Sequence, residues 1–142
     1  MLRLAYFCCL VLIISCASTR QDSNRPACDL VGAWEPVELT LTAPDGTVND
    51  VDLGDPPGLK VFSNTRWVWI ETGPNASNST VGAGGRYATT DSTYTESIEY
   101  HMSPDLVGQT LTFECEVTPT TWTQRGMLPG GTYLEETYRR IE

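Results

Sequence analysis

The segment Leu111-Thr112-Phe113-Glu114-Cys115-Glu116-Val117 alternates strictly between apolar and polar side chains. This period of two is typical of a β-strand with one buried face and one face in water. It places Leu111, Phe113, Cys115 and Val117 in the interior and the glutamates in solvent. Pro119-Thr120 and a second strand-like segment at residues 121–127 follow at once, which predicts a tight antiparallel hairpin.

The same pattern of short strands and tight turns extends along most of the chain. Two further connections, Asn64-Thr65 and Asp91-Ser92, are short enough for hairpins, so neighbouring strands should pair antiparallel in up-and-down order. Because no helix is available to cover a face, an open sheet would expose both edges, and closure into a barrel is favoured over a sandwich. We therefore predict an all-β, eight-stranded up-and-down antiparallel barrel with strands at 32–42, 59–63, 66–72, 84–90, 93–101, 109–118, 121–127 and 132–141.

The first residues have the layout of an export signal. Arg3 precedes an apolar run at 4–14, which is shorter than the roughly 20 residues that a membrane-spanning helix needs. We expect a signal peptide at 1–15, a modified cysteine with a polar, flexible tether at 16–27, and the barrel domain at 28–142.

Ile13-Ile14-Ser15-Cys16 resembles the bacterial lipobox, in which cleavage exposes a cysteine that then carries fatty chains. The resemblance implies lipidation of Cys16 and a membrane anchor in a bacterial cell envelope. Ala17, rather than an aspartate, favours the outer membrane. Alternatively, Ser15-Cys16-Ala17 fits an ordinary signal cleavage site, which would release a soluble periplasmic or secreted protein.

The length and net charge of the chain limit the classes of partner that it can bind. The chain has 142 residues, as expected for one domain, and its formal net charge is −9. That charge repels phosphate backbones, so we expect no nucleic-acid partner, and we expect a monomer.

The cysteines offer a disulfide rather than a metal site. Cys28 and Cys115 are the two cysteines of the expected barrel domain. In an exported domain they form either a disulfide or two buried thiols. Together with the single His101 they make no standard zinc set, and the acidic loop at 44–58 lacks the spacing of a calcium loop. We therefore predict no metal and no cofactor, and we interpret the loop as a flap.

Alternation also brings polar groups to the interior. Tyr94, Glu96, Ile98 and Tyr100 share the more apolar face of their strand, so Glu96 should be buried and should need a partner, for which Arg86 is the candidate. In the strand at 66–72 both faces carry apolar side chains, so alternation does not decide which face points inward. We place its tryptophans, Trp67 and Trp69, inside.

Gly32-Ala33-Trp34 resembles the Gly-x-Trp signature at the start of lipocalins. The resemblance implies that Trp34 plugs the closed end of the barrel under Arg139 or Arg140, a cation–π arrangement. Larger parts of the chain resemble bacterial lipocalin-like envelope proteins. This resemblance implies the fold but says almost nothing about function, because most members of the family have no assigned function. The segments that carry this similarity are Lys60-Val61-Phe62-Ser63, Trp67-Val68-Trp69, Gly84-Gly85-Arg86-Tyr87 and Tyr94-Thr95-Glu96-Ser97-Ile98-Glu99-Tyr100.

These features predict a non-enzymatic binding protein for a small apolar or amphipathic ligand. The alternative is an envelope interaction or structural module with a filled core. No activated Ser or Cys nucleophile is recognisable beside His101, which argues against catalysis. The expected ligand-binding residues are Trp67, Trp69, Arg86, Tyr87, Tyr94, Glu96 and Tyr100.

Overall fold

A computed structural model describes residues 28–71 and 81–142. The predicted signal peptide, Cys16 and the tether lie outside these residues. The described ranges contain no helix with the length and apolar character needed to cross a membrane. A short 3₁₀ helix spans Pro104–Leu106. The strands are β1 (Gly32–Thr42), β2 (Val48–Asp50), β3 (Leu59–Phe62), β4 (Arg66–Glu71), β5 (Val81–Thr89), β6 (Thr93–His101), β7 (Thr110–Val117), β8 (Thr121–Met127) and β9 (Tyr133–Arg140).

Eight of these strands close into an antiparallel barrel, as predicted. They follow one another in the order β1, β3, β4 and on to β9, and β9 pairs back along β1. Closure leaves the barrel wall without a free edge among these strands. β2 stands outside this ring and pairs only with Thr40–Thr42 at the end of β1. It lies within the predicted acidic flap and was missed because its three residues carry no alternating pattern.

Side-chain burial follows the predicted alternation in β7 and β4. Phe113 is buried while Glu114 and Glu116 are exposed, as expected for β7. In β4, Trp67 and Trp69 face inward, whereas the side chains of Val68 and Ile70 face solvent. The placement of the two tryptophans inside the barrel is therefore confirmed.

The placement of Tyr100 in the interior was wrong. Gly85 pairs with Ile98 and Gly84 pairs with Tyr100, so Glu99 is an extra residue in a β-bulge. A bulge reverses the alternation beyond it, and Tyr100 consequently points outward with 68% of its surface exposed. Ser97 O comes so near that a Cβ on Gly85 would lie 1.9 Å from it, which explains the glycine.

The largest fully buried side chains lie at the end of the barrel where β1 begins. Cys28, which precedes β1, forms a disulfide with Cys115 on β7. Trp122 stacks on Tyr138, with ring centroids 4.4 Å apart, and contacts Trp34 edge-to-face. Aromatic packing of this kind adds to the free energy gained by burying the rings. The disulfide and the packed rings close the barrel at this end.

Candidate functional site

An ion pair lies in the middle of the barrel. Lys60 Nζ on β3 is 2.5 Å from Glu96 Oε1 on β6, and both residues are 5% exposed. The Tyr94 hydroxyl donates a hydrogen bond to the same carboxylate oxygen. Glu96 is thus buried as predicted, but its predicted partner Arg86 was wrong. Arg86 lies on the outer face, because the residues that alternate with the inward Gly85 and Tyr87 point away from the core.

Lys60 is one of the interior polar residues that the sequence did not predict, together with Gln124 and Glu136. Its ammonium lies 5.0–5.9 Å from the centroids of five aromatic rings, close enough for cation–π attraction. The available signal was its position two residues before Phe62, which places both side chains on one face of β3. The five rings belong to Phe62, Trp67, Tyr94, Trp122 and Tyr138.

A second carboxylate lies near this pair. Gln124 Nε2 donates a hydrogen bond of 2.7 Å to Glu136 Oε2, and both residues are almost fully buried. Burial raises the pKa of Glu136, although the nearby Lys60 ammonium and the hydrogen bond from Tyr138 oppose this change. We call Lys60, Tyr94, Glu96, Gln124, Glu136 and Tyr138 the polar cluster.

The polar cluster occupies the centre of the barrel, and its groups are poorly suited to catalysis. Its ammonium and one carboxylate neutralise each other, and burial raises the pKa of Glu136. Burial also raises the pKa of Tyr94 and Tyr138 well above the ordinary value, so both hydroxyls stay protonated. Two buried atoms of the described residues, Trp122 Nε1 and Gln124 Oε1, have no hydrogen-bond partner, an arrangement that costs stability.

Trp34 closes the barrel end beneath an arginine. Its indole Nε1 donates a hydrogen bond of 2.8 Å to Leu30 O, and the Arg140 guanidinium carbon lies 4.0 Å from the ring centroid. Arg139, the other candidate, instead forms an ion pair with Glu35 on the outer face. The arrangement implied by the lipocalin resemblance is therefore made by Arg140.

A cavity of about 530 Å³ lies along the outer wall of β3 to β6. Trp67 and Trp69 border it, and Arg66 lies at one end. We call this cavity the outer groove and define it by Val61, Val68, Ile70, Gly82, Gly84 and Tyr100.

The other expected ligand-binding residues of the interior do not reach this groove. Tyr87 and Tyr94 pack within the interior beside Phe62, and Glu96 belongs to the polar cluster.

Glycines on β5 create the outer groove. Gly82 pairs with Ile70 and Gly84 pairs with Val68, so the outward positions of β5 carry no side chains beside two apolar ones. Tyr100 stands on the other side of this depression because the bulge turns it outward. The sequence signal was glycine at alternate positions, which the interpretation did not use.

Charged side chains mark the Arg66 end of the outer groove. Glu99, the extra residue of the bulge, accepts hydrogen bonds from Arg66 Nη1 at 2.6 Å and from Arg86 Nε at 3.1 Å. The hydrogen bond from Arg66 lowers the pKa of Glu99, so this carboxyl stays ionised. The groove thus combines an apolar floor with an ionic end.

Comparison with solved structures shows where this fold recurs. An uncharacterized protein from Bacteroides eggerthii is similar at a TM-score of 0.51 and 20% identity, over 80% of this chain and 100% of that chain. A lipocalin-like protein from Bacteroides uniformis is similar at a TM-score of 0.51 and 15% identity, over 79% of this chain and 98% of that chain. Identities this low show the fold alone.

Comparison with sequences gives the family. Among curated proteins, none matches the chain. Residues 29–142, however, match the family model described as Domain of unknown function (DUF4488). Because this match covers most of the chain, the protein belongs to the DUF4488 family.

Proposed function

We propose that the protein is a non-enzymatic binding protein that holds a small apolar or amphipathic molecule in the outer groove. The observation that carries the proposal is the cavity itself, whose volume of about 530 Å³ falls within the range of small-molecule sites. Its walls are the apolar side chains of Val61, Val68 and Ile70, together with the ring of Tyr100. Such walls lower the free energy of an apolar ligand by removing it from water.

The packing of the barrel supports a site on the wall rather than inside. Trp34, Trp122, Tyr94 and Tyr138 are at most 1% exposed and occupy the closed half of the interior. The polar cluster occupies the centre, and opening it to a ligand would separate a buried ion pair. Phe62 packs against both Tyr94 and Trp122, which ties these groups together.

We also propose that the protein does not catalyse a reaction. The ionic groups of the polar cluster bind each other, and His101 Nδ1 accepts a hydrogen bond of 2.8 Å from the Ser103 N–H. Neither arrangement activates a nucleophile.

An interaction module is the second candidate function. The filled core favours it, and Val68, Ile70 and Tyr100 are 45%, 43% and 68% exposed. On this account a protein partner, rather than a small molecule, would cover the outer groove.

We also propose that Cys16 anchors the barrel to a bacterial envelope membrane, in line with the lipobox-like sequence before it. Metabolic labelling with a palmitate analogue tests this proposal. The wild-type protein should incorporate the label and Cys16→Ser should not. Labelling of neither protein would favour the soluble alternative.

Native mass spectrometry of protein purified gently from an envelope extract tests ligand binding. We expect an additional small mass that disappears on denaturation. Val68→Glu should reduce its occupancy because a carboxylate would then lie on the apolar wall. Val37→Glu is the matched control, since Val37 is similarly exposed, at 49% against 45%, but lies on β1.

Two results would contradict the proposal. A bare protein mass in repeated preparations would favour the interaction module. An additional mass that Val68→Glu leaves unchanged would place the ligand somewhere other than the outer groove.

A further inference from the structure

The ionic end of the outer groove carries an excess of positive charge. Arg66 and Arg86 share the single carboxylate of Glu99, which leaves one formal positive charge among the three side chains. Their side chains are 48%, 62% and 33% exposed, so solvent and solutes can reach them. In a chain of net charge −9, this is a local exception.

The guanidinium groups retain capacity for another acceptor. Each arginine has five N–H donors, and the hydrogen bonds to Glu99 use Nη1 of Arg66 and Nε of Arg86. A carboxylate or similar anion binds a guanidinium through charge-assisted hydrogen bonds. The exposed ion pairs with Glu99 are themselves weak and would adjust at little cost.

The charged and apolar parts of the groove lie in line. Arg66 pairs with Arg86 across β4 and β5, followed by Val68 with Gly84 and then Ile70 with Gly82. The step from Arg66 to Ile70 spans about 13 Å at roughly 3.3 Å per residue. An elongated molecule could therefore place one end on the arginines and its body along the glycines.

We infer that the ligand is a free single-chain anionic amphiphile, with its head on Arg66 and Arg86 and its apolar chain along Gly84 and Gly82. This inference rests on the proposed function and adds the chemical class of the ligand. Charge complementarity selects an anionic head. The glycine positions form a single row on β5, which accommodates one chain.

Isothermal titration calorimetry of the purified protein with decanoate and decanol at low ionic strength tests the inference. Decanoate should bind about tenfold more tightly or better, as expected for hydrogen bonds to a charged group. The Arg66→Gln/Arg86→Gln double variant should bind both compounds equally. Glu99→Gln should increase the preference for decanoate because it removes the competing carboxylate.

Arg139→Gln is the matched control. Arg139 is as exposed as Arg86, at 62%, and also forms an ion pair, but with Glu35 away from the groove. Its replacement should leave the affinity for decanoate unchanged.

The outcomes separate this inference from the proposed function. Equal affinity of the wild-type protein for decanoate and decanol would overturn the anionic head and leave apolar binding in the groove standing. A preference that survives in the double variant would also overturn it. Failure of both compounds to bind would overturn the inference and count against the proposed function.

Discussion

Glu136 shows how a single buried residue links the barrel to pH. Burial raises the pKa of its carboxyl above the ordinary value of 4.5, so the folded protein holds this proton more tightly than the unfolded chain does. The stability that this proton provides is fully present below about pH 4.5 and is lost as pH rises through the folded-state pKa. At neutral pH the folded state therefore bears a cost for the ionised group.

Glu136→Gln should remove this cost. We expect the variant to exceed the wild-type protein in free energy of unfolding at pH 7, and to match it near pH 4. Urea denaturation across this pH range measures the difference. Glu135→Gln is the control. Glu135 is half-exposed and pairs with Arg125 on the outer face, so its loss should cost less than about 1 kcal/mol. A Glu136→Gln variant less stable than wild type at pH 7 would show that Lys60 holds the carboxylate ionised.

At the scale of residues, the sequence predicted which way a side chain points better than it predicted which residue that side chain contacts. Burial of Glu96 followed from alternation within β6, but its pairing with Lys60 joins residues 36 positions apart. Such a contact depends on barrel closure, which brings β3 and β6 side chains together across the interior. Alternation within one strand carries no information on which strand lies opposite.

The strands are the elements that the sequence predicted most closely. β1, β6 and β8 have the predicted bounds, and β7 differs by one residue at each end. Alternation and turn residues act within a few positions, so they are legible in one sequence. The bulge in β6 was not predicted, because it arises where Gly85 on β5 lets Ser97 approach.

Gly85→Ala should disrupt this bulge. The added Cβ would lie 1.9 Å from Ser97 O and 2.9 Å from Glu99 N, so the backbone of β6 must shift. We expect a loss of about 1–3 kcal/mol in the free energy of unfolding, measured in urea. Gly84→Ala is the control, and it should cost less because its nearest contact, Trp67 O, is at 3.1 Å. Equal losses in both variants would contradict a special role for Gly85.

At the scale of the whole molecule, the disulfide joins parts of the chain that are distant in sequence. Cys28 and Cys115 are separated by 87 residues, and the bond ties the segment before β1 to β7. Constraining so long a loop in the unfolded chain corresponds to about 4–5 kcal/mol in the chain-entropy model.

Cys28→Ala/Cys115→Ala should lose most of this stabilisation. We expect a lower urea midpoint than that of the oxidised wild-type protein. A reductant should lower the wild-type midpoint and leave that of the variant unchanged, which provides the control. Identical midpoints for oxidised wild type and variant would show that the disulfide does not stabilise the barrel.

The location of ligand binding is the central claim, and an NMR titration of the purified protein with decanoate and decanol tests it most directly. We predict that the amide signals of Val68, Gly82 and Gly84 shift on binding, while the indole signals of Trp34 and Trp122 do not. Shifts of the two indole signals, with the three amide signals unchanged, would place the ligand inside the barrel and contradict the account.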